Sequence, residues 1–204
     1  MSTKNLSEYN PDFVPDASKL TFGIVVSDWN HEITHTLLKG CYDTLIKHGA
    51  NPAKIKTIHV PGSYELPKAA SWLANHAWKG ETEEILMADA IIVLGCVITG
   101  ETKHDEYISQ AVAQGLMQLN IEEISPLIFG LLTPRNDEQA KDRAGGKHGN
   151  KGVEAAVTAI KMGHLRLQLD EEDEHAPIDE NWIMDQFLDS DEFDEDRLDD
   201  FSAN

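Results

Sequence analysis

Four short apolar runs, at 20–26, 55–60, 90–97 and 127–132, alternate with four amphipathic stretches. That alternation limits the possible folds more than any other feature of the chain. Each run is almost continuously aliphatic or β-branched, the pattern of strands buried on both faces. The stretches between them repeat apolar residues at intervals of three and four. Residues 31–48 carry Ile33, Leu37, Cys41 and Leu45, and 65–78 carry Leu66, Ala69, Ala70 and Leu73. Residues 103–119 carry Ile108, Val112 and Leu116, and 151–168 carry Val153, Ala156, Val157 and Ile160. This spacing predicts helices with one buried stripe. The order β-α-β-α-β-α-β-α predicts an α/β fold, a three-layer sandwich with a four-stranded parallel sheet flanked by helices. Ligands of such sheets bind beyond the carboxyl ends of the strands. The segments to read for function are therefore SDWN at 27–30, PGSYE at 61–65, GCVITGETKH at 95–104 and TPRND at 133–137.

Charge sets the expected boundaries. The net charge is −19, yet sixteen of the 36 acids fall in 170–204, against one base there, Arg197. Residues 1–19 hold Pro11 and Pro15 without periodicity and predict an extended N-terminal arm. Residues 20–169 predict the folded, near-neutral domain. Residues 170–204 predict an acidic tail, mostly disordered by self-repulsion or loosely docked through Trp182, Ile183, Phe187 and Leu188. The acidic balance argues against nucleic acid and anionic membranes as partners. Two cysteines, Cys41 and Cys96, leave little scope for a disulfide framework or a Cys-rich zinc site. No apolar run is long enough to span a bilayer and no secretory leader is evident, so a cytoplasmic location is expected.

Three motifs offer chemistry. His31-Glu32-Ile33-Thr34-His35 matches H-E-x-x-H, in which two histidines one turn apart bind zinc and the glutamate activates water. Asn30 before it is a natural N-cap, which places the motif in the first turn of a helix, and nothing in the sequence nominates a third ligand. No metal is expected there. Gly95-Cys-Val-Ile-Thr-Gly100-Glu101-Thr102 has the spacing of a Walker A loop, but Glu101 stands where the lysine must be and would repel a triphosphate. A strand leading into a glycine loop and a helix starting near Thr102 would still offer free N–H groups and a positive helix end to one phosphate. His104 follows, one turn into that helix, with a proton-transfer group that titrates near neutrality. The segment 143–152 is basic and glycine-rich, and Arg143, Lys147 and Lys151 could meet an anion there.

Together these residues resemble the lumazine synthase (6,7-dimethyl-8-ribityllumazine synthase) family. The resemblance rests on VPGSYELP at 60–67, GCVITGETKH at 95–104, IFGLLT at 128–133, EQAKDRAG at 138–145 and GNKGVEAA at 149–156. It covers about residues 15–165. Thr99 stands where the family usually has Arg, and Asp105 where an aromatic residue is common. The resemblance implies a flavodoxin-like fold and a transferase of riboflavin biosynthesis that needs no cofactor and no metal. It implies condensation of 5-amino-6-(D-ribitylamino)uracil with 3,4-dihydroxy-2-butanone 4-phosphate. On this basis His104 is the expected acid/base. The N–H groups of Glu101 and Thr102, with Arg143, are the expected phosphate site. Trp29 is expected against the heterocycle with Asn30 beside it, and Ser63, Tyr64 and Glu65 form the ribityl-binding turn. Cys96, Val97 and Ile98 line the same strand end. Phe129 and Lys151 resemble residues delivered by a neighbouring subunit, which implies a homo-oligomer with sites between chains.

Family members form pentamers or shells of twelve pentamers. The short 143–152 segment resembles the shell-forming members, while Pro11 and Pro15 could prevent strand exchange between pentamers. Riboflavin synthase is the protein partner the resemblance suggests. Two readings compete with the enzyme. A zinc hydrolase would use His31, Glu32 and His35 and would lose activity on chelation. A non-catalytic flavin or lumazine carrier would bind product without turnover, against which an intact His104 and Arg143 argue.

Overall fold

A computed structural model describes residue 5 and residues 7–80 and 83–175. The four apolar runs form β1 (Phe22–Ser27), β2 (Ile55–Val60), β5 (Ala90–Cys96) and β6 (Leu127–Leu132). They pair in parallel in the order β2-β1-β5-β6. Helix α1 (His31–Lys47) follows β1, α2 (Leu66–Asn75) follows β2, α3 (His104–Glu122) follows β5, and α5 (Lys151–His175) closes the series. The four-stranded parallel sheet and its flanking helices match the expected α/β sandwich.

Two apolar layers hold the sheet. On one face Phe22, Ile24 and Val26 of β1 and Ile92 and Leu94 of β5 pack with Leu37, Cys41 and Leu45 of α1 and Ala156 and Ile160 of α5. On the other, Val25, Ile91 and Val93 pack with Leu66, Ala70 and Leu73 of α2 and Val112 and Leu116 of α3. β1 and β5 are buried along their whole length, which is why their sequences do not alternate. Each fully buried Leu, Ile or Phe stabilises the fold by about 1.5–3 kcal/mol.

Several elements depart from the expectation. The stretch 65–78 ends as a helix at Asn75, because His76 turns extended. Trp78 belongs instead to a short hairpin, β3 (Trp78–Lys79) with β4 (Ile85–Leu86). The TPRND segment leads into a short helix, α4 (Asp137–Arg143), capped by Asn136 Oδ1, which accepts from the Gln139 N–H at 2.9 Å. Asn136 followed three residues later by Gln139 is a helix-start signal that the sequence reading passed over. The glycine-rich segment is a second hairpin, β7 (Ala144–Gly146) with β8 (Gly149–Asn150). Gly149 there has φ 76°, and a Cβ would come 2.0 Å from Asn5 Oδ1, so local conformation accounts for that glycine.

The chain divides into two compact units at Gln168/Leu169. Within the first, residues of the expected arm lie on the body. Val14 and Ala17 are buried, Tyr9 Oη is 2.9 Å from His48 Nε2, and Ser7 Oγ donates to the Asn150 carbonyl. Of the second unit, the described residues are the last turns of α5, which runs to His175, past the expected end near 168. The docking residues considered for the tail, Trp182, Ile183, Phe187 and Leu188, lie outside the described residues.

Candidate active site

The strand order reverses between β1 and β5. β1 connects outward through α1 to β2, and the chain then crosses back over β1 to β5. A crevice opens beyond the carboxyl ends of strands at such a switch point. Asn30 spans it. Its Nδ2 donates to the carbonyl of Cys96 at 2.9 Å, joining the loop after β1 to the end of β5. This corrects the expectation that Asn30 caps α1 with its side chain. Asn30 does precede the helix, but it sits in the left-handed region at φ 59° and ψ 42° and makes no side-chain cap bond. That conformation, which Asn tolerates better than most residues, turns the amide toward β5.

Backbone bonds fix the neighbouring residues. The Asp28 N–H donates to Val60 O at 2.8 Å and the Trp29 N–H to Pro61 O at 3.0 Å, so the β1 and β2 loops leave the sheet side by side. The Trp29 ring lies on Gly62, where a Cβ would come within 2.7 Å of it. Trp29 is nevertheless 67% exposed. Ser63 is buried, and its Oγ would lie 2.9 Å from a Cβ placed on Gly95 of β5. Tyr64 is exposed. Glu65 is exposed too, and its Oε2 accepts from the Gly62 N–H at 3.0 Å, closing the turn. Trp29, Asn30, Ser63, Tyr64, Glu65 and Cys96 therefore gather at one end of the sheet.

Beyond Cys96 the chain stays pinned to the end of β6. Val97 N–H donates to Leu132 O and Thr99 N–H to Pro134 O. Thr99, at the position where the sequence departs from the expected Arg, also places its hydroxyl 3.4 Å from Pro134 O. Asn30 and Ile98 line one hollow of about 330 Å³ with His31, Glu32, Asp137 and Lys141. Glu101, Thr102 and His104 are all exposed at the amino end of α3. Lys103 stands at the N-cap and makes no side-chain cap bond, which leaves the first-turn N–H groups available. His104 is the first residue of α3, not one turn inside it as the sequence suggested, because 101–103 form a bend and turn.

Arg143, Lys151 and Phe129 form a separate group. Glu154, only 8% exposed, holds both cations: Arg143 Nη2 lies 2.9 Å from its Oε1 and Lys151 Nζ 3.1 Å from its Oε2. The Arg143 contact is an ion pair, not an aligned hydrogen bond, and Arg143 Nη1 donates instead to His148 O at 2.8 Å. Lys151 and Phe129 line a second hollow of about 330 Å³, with Asn120, Ala155 and Met162. The recorded contacts of Arg143 thus join it to Lys151, not to the Glu101–Thr102 loop as the sequence reading expected. Glu154 was missed in the sequence. Its signal was an acid three residues after Lys151 amid the apolar stripe of α5.

The Cys96 thiol is no nucleophile: burial, and secondarily the nearby Asp137 carboxylate, pushes it up to about 12. The H-E-x-x-H motif does open α1, reaching into its second turn, with the rings of His31 and His35 6.0 Å apart. Of the two motif histidines only His35 meets a carboxylate from elsewhere, and that carboxylate is shared with His59. Asp28 Oδ1 lies 2.8 Å from His59 Nδ1 and 3.5 Å from His35 Nε2. The His59 hydrogen bond foremost holds the Asp28 carboxyl below its ordinary value.

Comparison with known proteins identifies the family. Residues 19–166 match the family described as 6,7-dimethyl-8-ribityllumazine synthase. A protein of that name from Porphyromonas gingivalis is 50% identical over 161 residues, covering 79% of this chain and 94% of the relative. One from Parabacteroides distasonis is 52% identical over 159 residues, covering 78% and 94%. One from Cytophaga hutchinsonii is 51% identical over the same length, with the same coverage.

Proposed function

The chain belongs to the 6,7-dimethyl-8-ribityllumazine synthase family, and from that premise we infer how its residues divide the work. It is a transferase of riboflavin biosynthesis. It condenses 5-amino-6-(D-ribitylamino)uracil with 3,4-dihydroxy-2-butanone 4-phosphate to give 6,7-dimethyl-8-ribityllumazine. An amine adds to the ketone and water leaves to form an imine. Phosphate is eliminated, and the second amine closes the ring with loss of another water.

Those steps need a surface for a flat heterocycle, acceptors for a sugar alcohol, a phosphate clamp and a proton carrier. In our reading Trp29 takes the pyrimidine on its exposed ring, with Asn30 beside it. Ser63, Tyr64 and Glu65 take the ribityl hydroxyls. One Glu65 oxygen is engaged with the Gly62 N–H, and the carboxylate has lone pairs left for hydroxyl donors. Cys96, Val97 and Ile98 form the wall between these groups. The N–H groups of Glu101 and Thr102 and the start of α3 face the phosphate. His104, exposed and first in that helix, moves protons between the amine, the carbonyl and the leaving phosphate.

Arg143 completes the clamp from a second chain. The observation that carries this reading is the buried carboxylate of Glu154, which holds Arg143 together with Lys151 beside the hollow that contains Phe129. The residue assigned to the phosphate thereby sits with the two that resemble residues delivered by a neighbouring subunit. A homo-oligomer that sets this cluster of one subunit against the sheet end of the next makes a whole site. We assign the enzyme to the cytoplasm, consistent with its two free, buried cysteines, and take riboflavin synthase, the consumer of its product, as a partner.

The test is turnover. Purified protein given both substrates should form the lumazine, followed by its absorbance and fluorescence, and release stoichiometric phosphate. Tight product binding without turnover would mark a carrier instead.

A further inference from the structure

We propose that Asp28, His35 and His59 form a binding site for a divalent transition metal of the zinc class. The three residues come from three elements. Asp28 follows β1, His35 lies in the second turn of α1, and His59 lies in β2 opposite Val26. They offer one carboxylate oxygen and two imidazole nitrogens, all within 4.8 Å of one another. All three are exposed, so an ion has direct access and open positions for water.

A hydrogen bond explains only half of the arrangement. His59 Nδ1 at 2.8 Å from Asp28 Oδ1 is an ordinary bond. His35 Nε2 is directed at the same oxygen from 3.5 Å, too far for a good bond. Two ring nitrogens thus converge on one carboxylate atom, with the His35 and His59 rings edge to face at 5.5 Å. Ligand bonds of about 2.0–2.2 Å in a tetrahedral zinc site put donor atoms roughly 3.3 Å apart. The separations of Asp28 Oδ1 from His59 Nδ1 and His35 Nε2, 2.8 and 3.5 Å, bracket that value, and the third lies within 4.8 Å, in reach of side-chain adjustment around an ion. The backbones are already fixed, Asp28 by its N–H on Val60 O and His59 by the sheet register.

The donor set selects the metal. Imidazole suits zinc, copper and nickel, whereas magnesium and calcium demand oxygen ligands and more of them. Glu32 and His31 take no part, so this is not the zinc-protease arrangement that H-E-x-x-H suggests. Asp28 precedes Trp29, so a bound ion would tie β1, β2 and α1 together beside the loop that bears Trp29 and Asn30. The site rests on its own geometry and does not depend on the condensation.

Chelator-washed full-length protein titrated calorimetrically with zinc decides it. One zinc per chain is expected. His35→Gln and His59→Gln should each weaken binding by about ten-fold or more, since each removes a direct ligand. His76→Gln should not, because His76 is occupied with the Trp72 carbonyl on another helix. At one fixed zinc concentration, Tm should rise most for the wild type and His76→Gln and clearly less for both site variants. No stoichiometric zinc in the wild type overturns the proposal. So does undiminished affinity in either site variant, which would assign the ion to other groups such as the acids of 170–204.

Discussion

At the carboxyl end of the sheet, backbone hydrogen bonds set the positions of Trp29 and Val97, and the Asn30 side-chain amide donates to the Cys96 carbonyl. At the β6 edge and the start of α5, one buried carboxylate sets the positions of Arg143 and Lys151. The first region is assembled by the fold itself and presents an aromatic ring, hydroxyls and amide groups. The second is an electrostatic cluster that survives only while Glu154 remains charged and paired. A site that must grip both a neutral heterocycle and a phosphate needs both kinds of construction. In the proposed division the sheet end provides shape and the cation cluster provides charge.

The difference is sharpest if the two regions are disabled one at a time. His104→Ala removes proton transfer at the sheet end, and kcat should fall by about 10²-fold. Arg143→Ala removes a charge-assisted contact worth about 1.5–3 kcal/mol, so kcat/KM for the butanone phosphate should fall about ten- to a hundred-fold or more. Binding of the ribitylaminouracil, which carries no phosphate, should change far less. Equal losses for both substrates would misassign the clamp.

Mixing the two impaired variants tests whether the regions meet across chains. Unfolded together in equal amounts and reassembled, His104→Ala and Arg143→Ala chains should regain activity. If each site takes one region from each of two neighbours, about a quarter of the sites receive two intact regions. If both regions served the same chain, no recovery would appear, and the division drawn here would fail.

The two regions were also unequally legible in the sequence. The strand-end loops could be found because buried parallel strands write continuous apolar runs, and the loops after them are where ligands of such sheets bind. The loops after β1, β2 and β5 place Trp29, Ser63, Glu65 and Cys96 at one end of the sheet from sequence alone. The cluster could not be placed so. Lys151 and Glu154 are an i,i+3 pair that the sequence spacing could have suggested, but the Arg143 contact with Glu154 joins the end of α4 to the first turn of α5, and no local pattern announces it. The hairpin at 144–150 reads in sequence as a solvated turn. Helix α4 was hidden because its seven residues bury only Ala140 and so leave no stripe. His104 was misplaced by a turn for a related reason: helix starts without a side-chain cap carry little sequence signal.

Asn30 probes how firmly the sheet end is built. Asn30→Ala should lose the bond to Cys96 O, about 1 kcal/mol, and force alanine into the left-handed region at about 1–2 kcal/mol more. Asn30→Gly loses the bond but relieves the strain. The alanine variant should therefore melt several degrees lower than the glycine variant. Identical Tm values would mean that the left-handed turn is not what holds the loop.

The smallest effect should come from the part of the chain outside both regions. The family match ends at residue 166, and α5 continues to His175. Residues 170–204 carry most of the net charge, and none of the candidate substrate residues lies there. Like charge so concentrated repels itself and offers nothing to a phosphorylated substrate. Truncation after His175 should leave kcat within about two-fold at moderate ionic strength, where charges farther than a Debye length from the site are screened. At low salt the truncated enzyme should gain slightly in kcat/KM for the butanone phosphate, because a negative field that slows an anionic substrate has been removed. The ribitylaminouracil, uncharged on its sugar, should show no such gain. A large loss of turnover in a truncated protein of unchanged assembly would show that the acidic segment takes part in the site after all. It would also end the claim that the sheet end and the Glu154 cluster together suffice.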